Sequence, residues 1–339
     1  MTGPDTRPPA ARLDIPALGY GAACLGNLYR AMAHDEAQAL VDAAWDEGIR
    51  HFDVAPHYGL GLAERRLGRA LAGRPRDAYL LSTKVGRLLE PSPGTAHLRD
   101  DGFVVPADRR RVWDASEAGL RRSLAGSSER TGIERFDVAY LHDPEENVPP
   151  GSTLDAELAR ALPALARLRD EGVVRAIGVG SKSTAALLAA VRTGLLDVIM
   201  LAGRYTLLEQ PAAAALLPAC LEHGVRVVAV GVYNSGALSE DVPRPDLPYE
   251  YGPMPPAVLD RVTRLAPACE RHGTTLPTAA LRFPLRHPAV AGVVFGAGSA
   301  EQVRQNVARY ASAVPEALWD DVARELERVR PVGEAQEAR

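Results

Sequence analysis

The segment GIRHFDVAPHYGLG, residues 48–61, sets a carboxylate, Asp53, five positions before a phenol, Tyr58. An acid and a phenol become a reactive pair only when something activates the phenol, whose unperturbed pKa is about 10. LLSTKVG supplies a candidate in Lys84. Its ammonium beside Tyr58 would favour the phenolate, while Asp53 would hold and neutralise the lysine. YLHD adds His142, an imidazole whose N–H can hydrogen-bond and orient a substrate oxygen. These are the parts of a proton-transfer site, and each also has a plainer reading. Asp53 with Lys84 suits a buried structural ion pair, His142 a satisfied strand-end residue, and Tyr58 a loop residue that merely packs.

A second chemistry lies in VVFGAGSAEQVRQN. Gly296, Ala297, Gly298 and Ser299 would present backbone N–H groups to a phosphate at a helix N-terminus, with Gln302, Gln305 and Asn306 on the first turns behind them. Ser299 and Gln302 also spell an S-x-x-Q capping box, which is compatible with ligand binding. Elsewhere GYGAAC at Gly19 and GVGSKS at Gly178 lack the third glycine of the dinucleotide fingerprint, so a doubly wound nucleotide fold is not indicated.

The elements that must carry these residues alternate. Apolar, β-branched runs recur at Gly19–Cys24, Arg50–Val54, Tyr79–Lys84, Asp137–His142, Val174–Val179, Val198–Ala202, Val225–Val230 and Val290–Phe295, with Ala/Leu/Glu/Arg-rich helical stretches between them. Several strands are continuously apolar, as parallel strands covered on both faces must be. Asp35 is expected to cap a helix whose stripe is Leu40, Val41, Ala44 and Trp45, ended by Gly48. Ala63, Leu67, Ala70 and Leu71 repeat that stripe in the next helix. Pro163 suits the first position of another, with Leu165 and Leu168 inward and Gly172 past its end. Eight right-handed βα units close most naturally into a single (β/α)8 barrel, here a single domain over residues 1–339 with frayed termini at 1–12 and 331–339. Two long irregular stretches, Gly86–Arg111 and Tyr233–Pro256, follow strand C-termini on the face where barrel sites lie, as lids or as packing across the mouth. A terminal helix is expected over Glu316–Val329.

Composition narrows the partners. With 46% hydrophobic and 24% charged residues the chain is an ordinary globular one. A formal net charge of −4 and no basic-aromatic run argue against nucleic acid, leaving a small-molecule substrate and room for a homo-oligomer. Three isolated cysteines, Cys24, Cys220 and Cys269, without metal-ligand spacing, speak against a disulfide frame or a metal site. The N-terminal segment has no signal-peptide apolar core and no apolar run spans a bilayer, so a cytoplasmic protein without membrane attachment is expected.

Asp53, Tyr58, Lys84 and His142, at the ends of three successive strands within GxxxFDxAxxYG, STK and LHD, resemble the catalytic tetrad of the aldo-keto reductase family. The resemblance covers nearly the whole chain. It implies a (β/α)8 barrel that binds a nicotinamide cofactor, with the Gly296–Asn306 stretch as its pyrophosphate and adenosine site and Tyr58 as the proton-transfer group. Relatives using NADP usually carry Lys or Arg in that stretch. Gly296, Gly298 and Gln302 carry no charge here, which favours NAD over NADP although Arg304 and Arg309 lie nearby. Gly231 falls where the family usually has a stacking tyrosine. Gly180, Ser181 and Lys182 fall where it usually has the asparagine that holds the carboxamide, so Ser181 or Lys182 must substitute. LAGRYTLLEQ and GVYNSGAL resemble the branch holding aldose 1-dehydrogenases and pyridoxal 4-dehydrogenase. The resemblance thus implies an NAD(P)-dependent oxidoreductase, most simply one that oxidises the anomeric carbon of an aldose to a lactone. A carbonyl reductase of an aldehyde or keto-sugar, a nucleotide-binding regulatory barrel and a Schiff-base aldolase using Lys84 are the competing readings. His57, Trp113 and Tyr233 are the candidate substrate residues, Trp113 reading equally as core at the start of the next helix.

Overall fold

The computed structural model describes residues 13–100 and 102–327. In chain order its elements are β1 (Leu18–Gly21), α1 (His34–Asp46), β2 (His51–Asp53), α2 (Leu62–Leu71), β3 (Leu80–Val85), β4 (Arg87–Pro91), β5 (Arg109–Trp113), α3 (Glu117–Thr131), β6 (Val138–His142), α4 (Leu154–Asp170), β7 (Ala176–Ser181), α5 (Thr184–Arg192), β8 (Val198–Ala202), α6 (Leu216–Glu222), β9 (Arg226–Val230), α7 (Pro256–Arg271), α8 (Leu276–Arg282), β10 (Val290–Gly296), α9 (Ala300–Ala311) and α10 (Ala317–Glu327). Eight strands close into a parallel barrel in the order β1-β10-β9-β8-β7-β6-β3-β2.

Successive strand residues point to opposite faces, and the sequence fills both with apolar groups. Leu80, Val138, Tyr140, Val198, Met200 and Val228 fill the lumen. Their neighbours Leu81, Ala139, Leu141, Ile199, Leu201 and Val227 pack outward on helix residues such as Leu40, Leu67, Leu120 and Leu165. Each such burial is worth about 1.5–3 kcal/mol, which outweighs any single helix cap.

Four local expectations are corrected. The first strand stops at Gly21, because Ala22–Gly26 tighten into a 3₁₀ turn that ends on left-handed Asn27. The first helix begins at His34, not after Asp35: Glu36 reaches back to accept the Ala33 N–H at 2.9 Å and so moves the cap upstream. Pro163 sits inside α4, which Thr153 caps. The carbonyl that Pro163 leaves without a helical donor belongs to exposed Ala159, where water can serve it. The stretch 86–111 is not irregular throughout; β4 and β5 form an antiparallel hairpin with Leu88 opposite Val112 and Glu90 opposite Arg110. Its charged faces hide the alternation. The terminal helix is described to Glu327, so Val329 and the terminal segments 1–12 and 331–339 lie outside the described residues.

The register lines up the strand ends. Gly21 is level with Asp53 and with Gly296, Asp53 with Ser82, Lys84 with Tyr140, and His142 with Gly180. One rim therefore carries Asp53, Lys84, His142 and Gly296. The loop holding Tyr58 is pinned to that rim at Gly59, whose φ is +59°, and a Cβ there would stand 2.2 Å from the Gly26 carbonyl oxygen. Gly59→Ala is expected to cost ~2 kcal/mol and to lower Tm by roughly 4–8 °C. Gly94→Ala, where a Cβ meets nothing within 4 Å, should move Tm by no more than about a degree in the same thermal scan.

Candidate active site and cofactor cleft

Asp53 ends β2, and Lys84 stands one residue short of the end of β3, so neighbouring strands bring their heads together. Lys84 Nζ donates to Asp53 Oδ2 at 2.5 Å, and Ser82 Oγ donates to Oδ1 at 2.7 Å. Both charged side chains are only 4% exposed. Burial opposes the lysine's charge, but Asp53 and Tyr58 outweigh it and lift its pKa above the ordinary value, so it stays an ammonium. Its Nζ lies 4.7 Å from the centre of the Tyr58 ring.

At Tyr58 the expected pull of Lys84 works against a larger effect. Burial holds its pKa above the ordinary phenol value, and Lys84 offsets only part of that. Taking an anion out of water is costly, and the Lys84 ammonium is already shared with Asp53. The resting group is a neutral phenol beside an ammonium.

His142 closes the other side, its ring centre 6.4 Å from that of Tyr58 and 5.6 Å from that of His57. Burial first, then Arg87, Lys84, His57 and Arg111, keep His142 well below the ordinary histidine pKa. It is a neutral ring with one N–H to give. Burial, with Arg111, Arg87 and Lys84, pushes His57 down to about 3. Phe103 packs at 5.5 Å from His57 and 6.3 Å from Tyr58, seated in a small cluster with Leu60 and Val105. Arg111 ties the hairpin to the site, pairing with Asp100 at 2.7 Å and donating to the His57 carbonyl at 3.0 Å.

A cleft of about 570 Å³ runs from Asp53 and Tyr58 along Gly231, Val232 and Tyr233 to Gly296, Ala297, Gly298 and Gln302. That volume falls within the roughly 300–1,000 Å³ of small-molecule sites. The far end lies at the N-terminus of α9, where Ser299 Oγ accepts the Gln302 N–H at 3.2 Å. Gln302 Oε1 turns back to accept the Gly298 N–H at 2.7 Å, so the expected reciprocal box forms one residue upstream of Ser299. A Cβ on Gly296 would meet nothing within 4 Å. Bare backbone beside a helix N-terminus fits the phosphates of a dinucleotide.

The rim brings Asp53, Tyr58, Lys84, His142 and His57 together, and the cleft collects Gly231, Gly296, Ala297, Gly298 and Gln302. The other candidates are placed differently. Tyr233 lines the cleft beside Gly231 and Val232, and its hydroxyl bonds Asn306. Gln305 bonds Glu301 at 3.1 Å on the exposed face of α9. Trp113 ends β5 opposite Arg87 and leans on Gly86, where a Cβ would come within 2.6 Å of its ring; it is not at a helix start. Gly180, Ser181 and Lys182 stand outside the cleft lining: the Gly180 carbonyl accepts the Asp143 N–H at 2.9 Å, Ser181 bonds Glu145, and Lys182 pairs with Glu250 at 2.7 Å. Sequence reasoning missed Arg30, which lines the cleft and donates to the Gly298 carbonyl at 2.9 Å, and the Tyr29 and Tyr251 rings, 6.3 Å apart beside it. Nothing local to either segment announces a contact between residues 30 and 298.

A buried phenol, ammonium and imidazole thus stand together on the rim of a parallel barrel, beside a cleft that ends at a helix N-terminus. Residues 17–325 match the aldo/keto reductase family, and the chain belongs to it. It is 50% identical over 326 residues to the D-threo-aldose 1-dehydrogenase of a Pseudomonas species, covering 95% of this chain and 98% of that one. It is 36% identical to the pyridoxal 4-dehydrogenase of Microbacterium luteolum over 91% of this chain and 93% of that one. Among solved structures, the holo form of an aldo-keto reductase from Bacillus halodurans superposes with a TM-score of 0.74 at 26% identity, covering 95% of each chain.

The depressed pKa of His57 has a measurable consequence. Between its folded value of about 3 and the ordinary 6.5, the unfolded chain binds a proton that the folded chain refuses. Its share of stability is therefore whole above pH 6.5 and is lost as the pH falls toward 3. Glutamine does not titrate, so His57→Gln is expected to gain ~2 kcal/mol on the wild type between pH 7 and pH 5. Chemical denaturation at the two pH values measures it, and a pH-independent difference overturns the assignment.

Proposed function

We propose that the protein oxidises the anomeric carbon of a cyclic aldose to a lactone, with Tyr58 as the proton-transfer group, His142 as the orienting donor and NAD as the preferred cofactor. The observation that carries this reading is the position of the Tyr58 ring in the cleft, 4.7 Å from the Lys84 ammonium and 6.4 Å from the His142 ring. The similarity to a D-threo-aldose 1-dehydrogenase over 95% of the chain supports the substrate class. The free thiols of Cys24, Cys220 and Cys269 suit a reducing cytoplasm.

A nicotinamide bound in the cleft supplies the hydride acceptor or donor. The chain does the rest. Gly296, Gly298 and the first turn of α9 hold the phosphates, and the Gly231–Tyr233 wall lines the path toward Tyr58. In oxidation His142 gives its N–H to the anomeric oxygen, and Tyr58, once ionised, takes the hydroxyl proton. In reduction the neutral phenol gives its proton to the carbonyl oxygen, and Lys84 stabilises the phenolate left behind. The raised pKa of Tyr58 thus favours oxidation in alkaline solution, and its neutral resting form also supports carbonyl reduction as the reverse reaction at the same site.

The preference for NAD rests on the first turns of α9, where among the described residues no cation stands free beside the glycines; Arg309, in the last turn, acts on Tyr233. Gln302 is turned onto Gly298, and Arg304 pairs with Glu301 at 3.3 Å. A 2′-phosphate there would lack a charge-assisted partner, apart from what Arg30 supplies while bonded to Gly298.

Tyr58→Phe is expected to lower kcat by at least about 10²-fold. Cofactor binding, followed by tryptophan fluorescence, should stay within about threefold of wild type; near-normal kcat would remove Tyr58 from the role. With an aldose panel, kcat/KM for NADP divided by that for NAD should be below one, and a ratio above one overturns the cofactor preference.

A further inference from the structure

Directly after His142 the chain passes through a left-handed residue that is not glycine: Asp143 has φ 43° and ψ 60°. A residue with a Cβ stays in that conformation only where its surroundings fix it. Here they do. The Asp143 N–H donates to the Gly180 carbonyl at 2.9 Å, and its own carbonyl accepts from the Glu146 N–H at 3.1 Å and from Asn147 Nδ2 at 2.8 Å. The turn throws the carboxylate back over the rim, where Oδ2 lies 3.2 Å from His142 Nε2 and accepts from Arg87 Nη2 at 2.8 Å. Arg87 is itself held from a second side by Glu146 at 2.8 Å. Among the described residues both side-chain contacts of Asp143 fall on Oδ2. The side chain remains 21% exposed.

The proton transfer described above makes no use of Asp143. Yet His142 Nε2 and Asp143 Oδ2, 3.2 Å apart, set a ring nitrogen beside a carboxylate, a pair that complements two neighbouring oxygens of which one accepts and the other donates. A hemiacetal or carbonyl flanked by a hydroxyl has that pattern. We propose that Asp143 is a specificity-determining residue whose carboxylate accepts the hydroxyl on the carbon next to the reacting one, with Arg87 as its positioning residue. The inference rests on the reading of Tyr58 and His142 as the reacting pair. A substrate lacking that hydroxyl leaves the carboxylate desolvated without a partner, which is how such sites reject close analogues. Burial, with Glu146 and Glu145 acting against Arg87 and Lys84, lifts the Asp143 carboxyl to about 7, so the measurement belongs at pH 8.5, where it is ionised.

The test compares an aldose with its 2-deoxy analogue, by kcat/KM with NAD and by calorimetric Kd for the enzyme saturated with NADH. The wild type should favour the aldose roughly 10–100-fold in both. Asp143→Gly, which tolerates the left-handed turn, should bring the ratio close to one, and Asp143→Asn should fall between. Arg87→Met should lower the ratio alone and add nothing on top of Asp143→Gly. An unchanged ratio in Asp143→Gly, with Tm and NADH binding near wild type, overturns the proposal. If the wild type turns over neither sugar but its Kd ratio collapses in Asp143→Gly, the proposed reaction fails and the role of Asp143 stands.

Discussion

The site is organised by the contact between Lys84 and Asp53. Each charge is almost fully removed from water, so each depends on the other, and removing one partner of such a pair typically costs about 3–5 kcal/mol. Because the partners stand on neighbouring strands, the requirement becomes geometric: β2 and β3 must keep the register that levels Asp53 with Ser82. Ser82 completes the arrangement by satisfying the second carboxylate oxygen. What reaches Tyr58 is the remainder of the lysine's field, enough to moderate the phenol but not to ionise it at rest.

Around that pair the mouth of the barrel divides into two sides. The glycine-bearing ends of β9 and β10, backed by the N-terminus of α9, form a wall of bare backbone suited to phosphate and ring. The opposite side is built of side chains: His57, Phe103 and, through Arg111, the hairpin. Tyr58 stands where the two meet, lining the cleft and packing against Phe103.

The barrel could be read from the sequence because each of its strands is a short apolar run followed by a helical stripe, and both periods are local. The candidate tetrad could be read for a related reason: strand ends in a parallel barrel share one rim, so Asp53, Lys84 and His142 converge whatever the loops do. Charge obscured the rest. The hairpin's β-strands are spelled RLLEP and RRRVW, and arginine-rich alternation looks like a loop until its partner strand is known. Pro163 reads as a helix start unless the exposure of Ala159 is known. Arg30 meets Gly298, and Lys182 meets Glu250, across distances in sequence that no motif encodes. The pull of Lys84 on Tyr58 is legible in the sequence, but the larger push from burial is not, because a sequence does not show how much water has left.

The β4–β5 hairpin shares no backbone ladder with the barrel. It is anchored instead by side chains, through Arg111 to the Tyr58 loop, Arg87 to the β6 turn and Trp113 over Gly86. Barrel and hairpin are thus distinct backbone units joined through side-chain contacts. Exchanges within the hairpin can alter those contacts while the strand pairing that holds Asp53 and Lys84 stays as it is, which makes this segment a natural place for redesign.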